Sequence, residues 1–79
     1  MKGVNAMITD EIKTWSKDKR HKFAFKIRYF YGNGIRNAEQ ISKKCGLDVE
    51  LVSWILENVV IKSEQLGSKR FSWKALKEA

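Results

Sequence analysis

Few side chains in this sequence could do covalent chemistry. His21 and Cys45 are the single histidine and the single cysteine. A catalytic pair needs nucleophile and base within hydrogen-bond reach. His21 stands in the charged run Ser16-Lys17-Asp18-Lys19-Arg20-His21-Lys22, with no nucleophile beside it, and reads as a solvated side chain. Cys45 shares a helical face with Ala38 and Ile41, where a thiol packs and stays inert. Asp10, Glu11 and Asp18 make no hard-cation cluster. One His and one Cys cannot complete a zinc site without carboxylates. Gly32-Asn33-Gly34 lacks the Lys-Ser/Thr ending of a phosphate loop. The expectation is a protein that is not an enzyme, with no catalytic residue, no metal and no cofactor.

What remains is charge. Sixteen Lys+Arg against nine Asp+Glu give a formal charge of +7 and a pI near 9.8. Lys17, Lys19, Arg20 and Lys22 cluster, and Lys26 and Arg28 continue the basic character. Small basic domains commonly meet polyanions; the plainer alternative is that the excess only keeps the chain soluble. Seventy-nine residues suit one small domain. Apolar residues are 43% and charged residues 32%, a globular balance. No apolar stretch nears the roughly 18 residues that span a bilayer, so no membrane partner is expected. A single cysteine excludes an internal disulfide and suits a reducing compartment. With no secretory leader in view, the expected location is cytoplasmic.

The elements follow from periodicity and caps. Residues 1–8 read as a flexible tail and 9–79 as one domain. Thr9 or Asp10 can cap a first helix carrying Ile8, Ile12 and Trp15. The polar run 16–22 either breaks that helix, with Asp18 as a new cap, or continues it. Phe23, Ile27, Phe30 and Tyr31 form an apolar stripe, closed by Gly32-Asn33-Gly34. Asn37 caps the next helix, Gly46 stops it, and Asp48 caps another with Leu51, Val52, Ile55 and Leu56 as its buried stripe. The β-branched run Val59-Val60-Ile61 favours a strand, and Phe71 and Trp73 alternate with polar residues as a return strand would. The rival is one continuous helix over 49–66 closed by Gly67. In either case Ser72 can cap a short helical turn over 73–77.

The segment Ala38–Ile55 resembles a helix-turn-helix. Ile41 and Cys45 occupy core positions of the first helix, Ser42 the small-residue position, Gly46 the turn, Leu47 the inter-helix plug, and Val52 and Ile55 the core positions of the second helix. Followed by the hairpin-like stretch 59–74, the pattern is similar to the winged helix-turn-helix superfamily. The resemblance implies a mainly α fold with a small β-hairpin and an N-terminal helical extension, with the helix-turn-helix at 37–58 and the wing at 59–74. It also implies binding to double-stranded DNA, with the second helix in the major groove. Its exposed face would be Val49, Glu50, Ser53, Trp54 and Glu57.

That face has no Lys or Arg and two carboxylates, which meet phosphate with repulsion. Candidate DNA contacts are therefore Lys43 and Lys44 before the turn, Ser53 and Asn58 as neutral groups, Lys62, Lys69 and Arg70 on the wing, and Lys19 and Arg20 in the N-terminal run. The first expectation is a small DNA-binding regulator of transcription or replication. The alternative is a protein-interaction module, an inhibitor or accessory subunit of a nucleic-acid machine, that binds its partner through Glu50, Trp54 and Glu57. An exposed Trp is a common interface anchor; packing against the wing is the other reading of Trp54. Phe25 and Tyr29 form a second apolar face one turn apart, suited to the N-terminal helix or to a homodimer.

Overall fold

The computed structural model describes residues 3–67 and 70–78. Its elements are α1 (Gly3–Lys13), α2 (Lys17–Gly32), α3 (Ala38–Cys45), α4 (Val49–Ile55), a π-helical segment (Leu56–Val60), α5 (Ile61–Gln65) and α6 (Lys74–Glu78). Among the described residues there is no strand. The expected β-hairpin wing over 59–74, and with it the winged-helix fold, is thereby overturned. Residues 49–65 instead run as one continuous helical rod into a turn at Gly67, whose φ is +66°.

Burial explains why the rod wins over the strand. Val52, Ile55, Leu56, Val59 and Val60 all face the core, with Val52, Ile55, Val59 and Val60 fully buried. A β-branched residue loses at most about 0.7 kcal/mol in a helix relative to alanine. Burying each valine returns roughly 1.5–3 kcal/mol. Packing therefore outweighs propensity at Val59 and Val60. The rod widens through Leu56–Val60, where the Ile61 N–H donates to the Leu56 carbonyl five residues back. The Asn58 side chain donates to the Trp54 carbonyl at 3.0 Å within the same stretch.

The local stop and start signals act as their chemistry dictates. The Asn37 side chain accepts from the Glu39 N–H and Asp48 from the Glu50 N–H, each at a helix start. Gly46, at φ +73°, ends α3 in the left-handed conformation that costs a residue with Cβ roughly 1–2 kcal/mol. The helix breaks at residues 14–16, at the edge of the polar run rather than within it, and Ser16 instead of Asp18 is the cap, its hydroxyl accepting from the Lys19 N–H. Ser72 accepts from the Lys74 N–H at the start of α6.

Two surfaces of the rod are covered. Ile41, Val52 and Ile55 are fully buried together with Ile27 of α2 in one core cluster. On the far side lies α1. It is helical from Gly3, where a tail was expected, and it buries Ile8 and Ile12, with Trp15 just beyond its end, in the same cluster. Trp54 lies about 200° around the helix from Val52 at 100° per residue. It is nonetheless buried, at 9% exposure, because α1 packs on α4 there. The C-terminal segment folds back against α5 and, through α6, against α1. Leu76 is buried, and the Ser72 N–H donates to the Ser63 hydroxyl at 3.3 Å.

Candidate nucleic-acid interface

Helix α2 carries Lys17, Lys19, Arg20, Lys22, Lys26 and Arg28 against a single carboxylate, Asp18. Its inward stripe is Ala24 and Ile27, fully buried, with Phe23, Phe30 and Tyr31 packed against the core. The opposite face is exposed. At 100° per residue, His21, Phe25 and Tyr29 fall within about 80° of one another on it. Lys22 and Lys26 line one flank and Lys17 and Arg28 the other. His21 meets two neighbouring rings. His21 lies 6.3 Å from Phe25 and 5.7 Å, edge-on, from Phe71 of the C-terminal segment. The Arg28 guanidinium lies 5.9 Å over Phe71.

The C-terminal segment widens this basic surface. Between the start of α2 and residues 70–77 opens a shallow groove of about 510 Å³. Lys17, Arg20, Arg70 and Lys77 supply its cations, and His21, Phe71 and Trp73 its rings; Asp18 is its carboxylate. On the other flank, the Lys44 ammonium lies 5.8 Å over Phe30 of α2. The last turn of α3, with Lys43 and Lys44 both exposed, therefore extends the positive surface on the side of Lys26. Glu64 of α5 approaches Arg28 at 4.0 Å. Both side chains are more than two-fifths exposed, so the pair adds little.

The remaining candidate residues scatter. Arg20 is tied into the fold: its guanidinium donates to the Ile12 and Lys13 carbonyls at 3.1 Å each, closing the C-terminus of α1. Lys19 is exposed, its ammonium 4.9 Å over the Trp15 ring. Lys62 is exposed on α5, beside a separate groove with Asn58 and Lys74. Ser53 is half-buried, and the Asn58 amide is engaged with Trp54. Lys69 lies outside the described residues.

The exposed flank of α4 has the opposite character. Glu11, Asp48 and Glu50 line one concavity between α1 and α4, with Glu50 and Glu57 on a neighbouring one. Trp54, the anchor in the alternative partner reading, is part of the core there, as the packing reading had it, with α1 in place of the wing. Cys45 is half-buried, and desolvation pushes its thiol up from the ordinary value, opposed by the nearby Lys26 charge. Among the described residues no three His, Cys, Asp or Glu side chains gather as a metal site would need. No helix there is long and apolar enough to cross a membrane.

In the sequence the parts of this surface stand apart: a basic run, and a pair of rings suited to the N-terminal helix or to a second copy, which the structure leaves exposed at Phe25 and Tyr29. The signal that joins them is His21, Phe25 and Tyr29 at i, i+4 and i+8, with Lys22 and Lys26 one turn apart beside them. Comparison of the chain with protein-family models, with curated proteins and with solved structures finds no match.

Proposed function

We propose that this protein binds nucleic acid through the exposed face of α2 and the adjoining segment 70–77, holding the phosphate backbone with lysine and arginine. The observation that carries the reading is the separation of charge. Lys17, Lys22, Lys26 and Arg28 flank the exposed face of α2, whose one carboxylate is Asp18, while Glu11, Asp48, Glu50 and Glu57 border the α1–α4 side. A polyanion is attracted to the first surface and repelled by the second. Helix α4, acidic and flanked by α1, is poorly suited to enter a major groove. A second copy of the chain on the Phe25–Tyr29 face would bring Lys22, Lys26 and Arg28 against themselves, which disfavours a homodimer there relative to an anion. A role in regulating a DNA transaction fits a small binder of this kind.

The test is affinity for random-sequence nucleic acid across a salt series. A handful of phosphate contacts predicts that log affinity falls against log salt with a slope of magnitude roughly 3–6, at about 0.9 per contact on duplex. A flat response, or no binding near 50 mM salt, contradicts the proposal.

A further inference from the structure

Resting on that reading, we infer that the preferred ligand is an unpaired strand, whose bases stack on Phe25 and Tyr29. Both rings are large and apolar, yet they stand 58% and 59% exposed in the middle of a cationic surface. Phosphate binding alone has no use for them. An exposed ring between lysines provides a π-face for a base and cations for the phosphates on either side of it. The flanking Lys22 and Lys26 repel a basic or like-charged protein and attract an anionic chain, which selects the occupant. The spacing agrees. Four helical residues advance about 6 Å, wider than the roughly 3.4 Å rise per nucleotide along the axis of a duplex strand. Successive rings of the row thus suit a strand whose bases are drawn apart. A base pair keeps both faces of each base covered by its neighbours and offers these rings nothing to stack on.

Charge density pulls the other way, since counterion release per phosphate is larger on duplex, about 0.9 against 0.7. A preference for single strands therefore reports on the rings rather than on the lysines. The experiment measures affinity for an oligothymidylate of about 12 nucleotides, within the roughly 4–16 nucleotide sites of known single-strand grooves, and for a duplex of the same length. The measurements are made on the wild-type chain, on Phe25→Ala/Tyr29→Ala and on Phe25→Tyr/Tyr29→Phe. Stacking is expected to make the single strand the tighter ligand. The alanine pair should then lose roughly 5- to 150-fold per stacked base on the single strand and stay within about twofold on the duplex, while the aromatic exchange retains wild-type affinity. Duplex binding as tight as single-strand binding, or an alanine pair with unchanged single-strand affinity, overturns the stacking inference and leaves the phosphate-binding reading standing. Failure of both ligands to bind overturns both.

Discussion

Trp54→Ala is expected to lower the stability of the fold by about 3–5 kcal/mol. That is a large part of the roughly 5–15 kcal/mol that holds a typical domain together. In a chain of this size it corresponds to a fall in Tm of at least about 12 °C, at roughly 4–8 °C per kcal/mol. The ring is 9% exposed in the core cluster that also holds Ile8 and Ile12 of α1, and its removal opens a cavity between α1 and α4. Ile8 and Ile12 then lose an apolar neighbour, and the seam joining α1 to the rest of the fold weakens. Thermal melts of wild type and variant, with far-UV circular dichroism to report helix content, provide the measurement. A variant that melts like wild type but loses a protein partner would return Trp54 to the role of an interface anchor.

Lys22→Glu combined with Lys26→Glu is expected to lower the Tm by only a few degrees and to weaken nucleic-acid binding by at least roughly 30-fold at low salt. Both ammonium groups are exposed, and surface substitutions ordinarily move stability by about 0.5 kcal/mol or less. Lys26 also lies 5.7 Å over the Phe23 ring, a contact worth about 0.5–1 kcal/mol at an exposed site. A lysine–phosphate contact at 4 Å in water is worth about 1 kcal/mol. Two lost contacts give about 2 kcal/mol, which is roughly 30-fold at 1.4 kcal/mol per decade, before the new carboxylates add repulsion. The salt slope should fall by about 2. Fluorescence anisotropy on a labelled oligonucleotide reads both quantities. As a control, the same charge reversal at a single site off the proposed face, Lys62→Glu on α5, should leave affinity within a few-fold.

Much of the fold was legible where the physics is local. Asn37, Gly46 and Asp48 announce their helix boundaries because a cap depends on one side chain and its own backbone. The core trio Ile41, Val52 and Ile55 follows from helical spacing alone. The strand at Val59-Val60-Ile61 was misread because three β-branched residues carry a local preference that only the buried core reverses. Helix α1 starts earlier than its sequence suggests: Thr9 has the chemistry of a cap, but it lies mid-helix at 2% exposure. The position of Trp54 could not be read from the period of α4, since what buries it is a helix some forty residues earlier in the chain. The binding surface was legible only in fragments for the same reason. Arg70, Phe71 and Trp73 look like an alternating strand in sequence. They reach His21 and Arg28 only because Leu76 and the Ser63–Ser72 hydrogen bond hold the segment across α5 and α2.

The most direct measurement is a backbone amide NMR titration of the labelled protein with a short single-stranded oligonucleotide. The account predicts that the largest shifts fall on Lys22, Phe25, Lys26, Tyr29 and the Arg70–Trp73 segment, with Glu50, Ser53 and Glu57 on α4 nearly still. Shifts concentrated on α4, with the α2 face unmoved, would contradict it.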